Sequence, residues 1–142
     1  MQRRILLGVI VLVAVLAETG PSLAAGAIAV GQPDDVAKRG VSMGLSTNRD
    51  TMDEAKKRSM SLCVNSGTSI SSALCSVVAT FENQCVAVAI DPQVGTPGFG
   101  WAVADTERDA GTKALSNCQR TAGPTRQTGC KVINSYCDGS AK

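Results

Sequence analysis

Six cysteines, a few serines near lysines and three knots of carboxylates are the residues of this chain that could do chemistry. Each group points to a different reaction. Cys63, Cys75, Cys85, Cys118, Cys130 and Cys137 could hold a metal, attack as thiolates or close disulfides. Metal binding is disfavoured, because the chain has no histidine and no Cys-x-x-Cys, and its spacings match no zinc module. A serine nucleophile needs a base, most often histidine. That leaves Ser69, Ser71 or Ser72 near Lys56 or Lys57, and residues 67–72 read more simply as a polar, flexible connection between two bridged cysteines.

The carboxylates are Asp34 and Asp35, then Asp53 and Glu54, then Asp105, Glu107 and Asp109. Two of them could hydrolyse a glycosidic bond if held about 5–9 Å apart across a cleft. Yet Glu54 and Asp109 fall where helices begin, and negative charge is favoured there without any catalytic role. Asp34 and Asp35 follow Pro33 in a turn, where aspartate is the ordinary choice. The expectation is a protein that is not an enzyme and carries no cofactor.

Gly98-Phe99-Gly100-Trp101 is the remaining local signal. A Gly-x-Gly that opens a strand and not a helix does not form a phosphate cradle. Pro97 and Gly98 read as closing a turn, with Trp101 packing against a helix or the sheet. An exposed Trp101, with Phe99 beside it, would be the candidate binding surface, since exposed aromatics often anchor recognition. Lys56-Lys57-Arg58 reads as the solvated face of a helix.

These residues need a compartment and a scaffold. Gln2-Arg3-Arg4, a run from Ile5 to Ala17 without polar side chains, and Ser22-Leu23-Ala24 form the pattern of a leader cut after Ala24 or Ala25. The run is short of the ~20 residues that span a bilayer. Residues 1–24 are therefore read as a signal peptide and 25–142 as one domain, periplasmic or secreted, with no stable membrane insertion after cleavage. The mature part carries twelve basic and eleven acidic side chains, a net charge of +1. Neither that balance nor the four aromatic residues suits a nucleic-acid partner. An even cysteine count in a small exported domain predicts disulfides.

Cys63 and Cys75 are twelve positions apart, as are Cys118 and Cys130, and the pairs lie 55 apart. Each pair sits at the end of a helix-like segment and the start of a strand-like one. The spacing predicts Cys63–Cys75 and Cys118–Cys130, leaving Cys85 for Cys137. The halves also align: residues 27–30 on 87–90 and 40–44 on 100–104 at an offset of 60, then 51–55 on 106–110 at 55. The first half thus carries five extra residues, assigned to the loop around residues 47–50, and Val41 takes the place of Trp101. Two repeats are expected, about 26–81 and 85–137.

Each repeat reads as β-β-α-β. Short apolar runs give the strands. Thr51-x-x-Glu54 and Thr106-x-x-Asp109 open the helices. Ala55, Ser59, Met60 and Cys63, with Ala110, Ala114, Leu115 and Cys118, give each helix a small, apolar face. The expected fold is α+β: a duplicated β-β-α-β unit, a largely antiparallel sheet with two helices on one face, stapled by disulfides.

The GAIA start at Gly26, the Gly100-Trp101 strand and the helix ending in cysteine form a specific order. So do Cys75-Ser76-Val77-Val78, Cys85-Val86-Ala87-Val88-Ala89 and the final Cys137. That order resembles the DUF4189 family of exported bacterial proteins across residues 26–137. The resemblance implies a small secreted or periplasmic domain and brings no catalytic residues with it. The resulting expectation is a non-catalytic domain that binds a protein or envelope component, in the manner of an inhibitor or immunity protein. Its rival is a small hydrolase of wall or other extracellular polymers using paired carboxylates, and a purely structural envelope component is the third reading.

Overall fold

The computed structural model describes residues 24–142. Residues 1–23, which hold nearly all of the expected leader, lie outside the described residues. Strand β1 (Ala25–Gly31) has no polar side chain, and all seven of its residues are buried. A strand apolar on both sides must be central and covered on both faces. It lies between β2 (Ser42–Arg49) and β3 (Ser76–Glu82), antiparallel to both. The second repeat does the same, with β4 (Cys85–Ile90) between β5 (Phe99–Ala104) and β6 (Lys131–Cys137).

Period-two alternation then decides the layers. In β1, Ala25 and Ala27 cluster with Ala55, Met52 and Val77 beneath α2 (Met52–Val64). In β4, Cys85, Ala87 and Ala89 cluster with Ala110, Ala114 and Cys118 of α4 (Glu107–Ala122). The intervening residues are larger. Ile28, Val30, Val86 and Val88 meet one another, with Phe81 and Phe99, between the two sheets. The order of layers is helix, sheet, sheet, helix. The fold class is α+β as expected, but the strands form two three-stranded sheets, and each helix covers the outer face of its own. One sheet with both helices on one face would have left the Ile/Val side of β1 and β4 in water.

The duplication extends to details. The outer pairings β1–β3 and β4–β6 each carry a register shift, between Ile28 and Ala29 and between Val88 and Ala89. Thr51 and Thr106 cap α2 and α4 by accepting the N–H of Glu54 and Asp109 at 3.2 and 3.1 Å. One part of the expected alignment is corrected. Ala29 faces Gly44 and Ala89 faces Gly100, so Ile28 faces Leu45 where Val88 faces Trp101. The counterpart of Trp101 is Leu45, not Val41. Four of the five extra residues fall in the β1–β2 connection, which carries the short helix α1 (Val36–Arg39). The fifth is the β2 irregularity near Asn48, at φ 53°. Gly40 had invited the wrong alignment, yet its φ of 69° serves the end of α1.

Cys63 bonds Cys75, Cys118 bonds Cys130, and Cys85 bonds Cys137 directly across β4 and β6. In the chain-entropy model the two short loops contribute about 3 kcal/mol each and the long one about 4. Within the Cys63–Cys75 loop the structure has a helix, α3 (Ser69–Ala73), with a reciprocal cap between Thr68 and Ser71. Ser71 is fully buried. The connection therefore carries a short capped helix anchored by the buried Ser71, where the sequence reads as a plain loop. The chain closes with a tail in which Asp138 N–H donates to Gln84 O and Gly139 N–H donates to Asn48 Oδ1, both at 2.9 Å.

Candidate binding groove at Trp101

Strand β5 is an edge strand, and side chains of α4 occupy part of its edge. Thr121 Oγ1 accepts the N–H of Phe99 at 2.9 Å and lies 2.8 Å from Phe99 O. Asn117 Nδ2 donates to Trp101 O at 2.8 Å. Side chains of α4 thus satisfy backbone groups that would otherwise recruit a foreign strand. In the first repeat Ser66 does the work of Thr121: its Oγ accepts from Met43 N–H at 3.0 Å and donates to Met43 O at 2.9 Å.

Beside this edge runs a groove of about 630 Å³. Residues 99–102 make its floor, Lys113, Asn117, Arg120 and Thr121 make one wall, and Gln32 joins from the first repeat. Trp101 is half-buried, its ring packed against the inter-sheet core. Phe99 is only 4% exposed and belongs to that core, so it cannot serve as an exposed anchor. Of the two aromatic candidates, Trp101 alone offers surface. Arg120 is held by Asn117 Oδ1, and no acidic residue lines the groove. Two cations and an amide suit an anionic or acid-rich ligand, and Trp101 adds apolar contact surface.

The four wall residues stand at i, i+4, i+7 and i+8, one stripe of a helix, and on sequence they read as a solvated face. The groove has a counterpart in the first repeat, about 450 Å³, lined by Leu45, Leu62, Asn65 and Ser66 with Asn134 and Tyr136 of β6. Leu45 replaces Trp101, Leu62 replaces Asn117 and Asn65 replaces Arg120. Both grooves carry an aromatic ring, Trp101 in one and Tyr136 in the other, but only the groove at Trp101 is lined by cations, Lys113 and Arg120.

The acidic clusters are dispersed. Asp35 caps α1 through Lys38 N–H and lies 3.5 Å from Lys38 Nζ. Asp105 accepts from Gln84 Nε2 at 2.9 Å. Asp53, Glu54, Glu107 and Asp109 occupy first turns of helices. Two aspartates outside these clusters are the buried ones. The side chain of Asp91 accepts a two-pronged bond from Arg126, Nε and Nη2 both at 2.8 Å, and the Gln93 N–H at 3.1 Å. Burial alone would raise its pKa, but the Gln93 N–H and the Arg126 guanidinium outweigh it and hold the carboxyl below its ordinary value. This pair braces the loop closed by Cys118–Cys130. Asp138 is treated below.

A helix-sheet-sheet-helix sandwich, built from one unit used twice and stapled at three places, defines the class. The domain-of-unknown-function family DUF4189 matches residues 25–137, and the chain belongs to that family. Among curated proteins no match is found. Among solved structures the chain is similar to the NMR structure of Rv1813c from Mycobacterium tuberculosis. The two are 16% identical, with 97% of this chain and 98% of that one covered and a TM-score of 0.45.

Proposed function

We propose that this is an exported, non-catalytic domain that binds an acid-rich protein or envelope component through the Trp101 groove, in the format of an inhibitor or immunity protein. The observation that carries this reading is the divergence of the two grooves. Two cations line one groove and none lines its counterpart, and side chains of α4 already bond the Phe99 N–H and the Phe99 and Trp101 carbonyls on the strand edge beside it. Recognition there falls to side chains, not to strand addition. The rigid, cross-linked scaffold limits the ordering cost of binding. Three disulfides suit an oxidising compartment, which fits a periplasmic or secreted setting. Among the described residues no helix is long and apolar enough to cross a membrane.

The test is affinity capture from a periplasmic extract with mature, oxidised protein, run beside Trp101→Ala and Lys113→Glu/Arg120→Glu. A partner held by the parent chain and lost from both variants, with cross-links mapping to α4 and β5, supports the reading. A partner held equally by all three overturns the groove assignment. Turnover of a wall polymer, abolished by a carboxylate variant, favours the hydrolase.

A further inference from the structure

Asp138 is fully buried, and only one of its carboxylate oxygens has a partner. Oδ1 accepts the N–H of Asn48 at 2.8 Å, while Oδ2 accepts nothing. A buried carboxylate without a cation is a costly thing for a fold to keep. Among the described residues no salt bridge reaches it. Burial raises its pKa, and the nearby Glu82 carboxylate adds to that, against the N–H groups of Asn48 and Gly139. The nearest basic residue in sequence to Asn48, Arg49, directs its Nε to Ser46 Oγ at 3.0 Å.

The place of Asp138 in the fold shows where a cation could come from. Its backbone N–H is held by Gln84 O and its side chain by Asn48 N–H, so it bridges the ends of β2 and β3. Between those two strands lies the start of β1. Ala25 is paired with Arg49 on one side and Glu82 on the other, one and two residues from the groups that hold Asp138. A Cβ placed on Gly139 would stand 3.0 Å from the methyl of Ala24. Ala24 and Ala25 are themselves buried there. These are the two residues at which the leader pattern predicts cleavage.

We propose that the mature amino terminus is the missing partner of Asp138: removal of the leader after Ala24 frees an α-ammonium on Ala25, which pairs with Oδ2 and locks the end of β1. The step balances. A leader peptidase adds water across the Ala24–Ala25 amide, Ala24 leaves as a carboxylate, and Ala25 keeps an amine that takes up the proton. A neutral amide N–H is thereby exchanged for a charged donor with three protons, beside a buried acid. The precursor holds the unpaired acid and the processed chain satisfies it. This proposal rests on the export reading above.

The experiment exports the full chain through its own leader and compares the product with a chain bearing Gly-Ser ahead of Ala25. Intact mass identifies the first residue, and acylation of the α-amine is followed by mass spectrometry of the N-terminal peptide. The expected result is a chain beginning at Ala25 whose amine is acylated at least about tenfold more slowly than that of the extended chain, since one unit of pKa changes the free-base fraction tenfold. That protection should vanish in Asp138→Asn. Should Asp138→Asn fail to fold, the comparison of parent with extended chain decides alone. Equal acylation rates in those two chains overturn the pair and leave export intact. A retained leader, or a first residue other than Ala25, overturns the pair as well, and a retained leader takes the export reading with it.

Discussion

Gly44 and Gly100 occupy the same point in the two halves of the molecule, each beneath the helical turn that carries a cysteine, Cys63 in one and Cys118 in the other. A Cβ on Gly44 would strike Ser59 O and the Cys63 N–H, and one on Gly100 would strike Ala114 O and the Cys118 N–H. The helices come this close because Ala55, Ser59, Ala110 and Ala114 are small and wholly buried.

Gly100→Ala should therefore destabilise by about 1–3 kcal/mol, the usual cost of overpacking. Gly111→Ala is the matched control. It lies within α4, where a new Cβ would meet only Val132 Cγ2 at 3.9 Å. Relief of the glycine entropy should stabilise by about 0.5–1 kcal/mol. Urea titrations of both variants check the opposite signs.

The Asp91–Arg126 pair makes a prediction about acid. The folded pKa of Asp91 is lowered, so its contribution is fully present above the unfolded pKa, about 3.9. It is lost as pH falls through the lower, folded value. The stability difference between parent and Asp91→Asn should be flat at neutral pH and shrink on acidification below about pH 4. Denaturant midpoints across that range measure it. A difference that grows in acid would contradict the assignment.

Replacing Thr121 with valine keeps the shape and removes the hydroxyl that serves Phe99. Thr121→Val should cost about 1–3 kcal/mol by leaving a buried backbone N–H unmet. It should also open the β5 edge to pairing with other chains. Thermal denaturation reads the first effect, and light scattering of the native protein reads the second.

Among the bridges, Cys85–Cys137 closes the longest loop, with a separation of 52. Cys85→Ala/Cys137→Ala should lose about 4 kcal/mol, against about 3 for Cys63→Ala/Cys75→Ala. Equal losses would mean that local strand pairing, not loop length, sets the effect. Guanidinium titrations under oxidising conditions distinguish the two outcomes.

The fold class, the repeat and the pairing by equal spacing were legible in the chain, because each rests on a local, periodic pattern. The two-sheet arrangement was present but harder to read. In β1 and β4, alanine alternates with isoleucine or valine, so neither face is polar and each has its own size. Such strands need a helix on the small side and another sheet on the large side. The register of β2 was ambiguous because glycine stands at both Gly40 and Gly44, and only the helix above selects between them. The groove wall was hidden for a related reason: Lys113, Asn117 and Arg120 look like any solvated stripe until β5 is beside them. Asp138 gave no local signal at all, since its partner Asn48 is 90 residues away.

The inter-sheet core has one further consequence. Each repeat covers its alanine face with its own helix, but the Ile28/Val30 face and the Val86/Val88 face cover only each other. A polypeptide of a single unit would leave that face to water, and the simplest cover for it is another molecule of the same kind. The present chain is, in architecture, a homodimer fused end to end. Its two halves have parted at one half-buried point of that frame, where Leu45 stands in the first and Trp101 in the second.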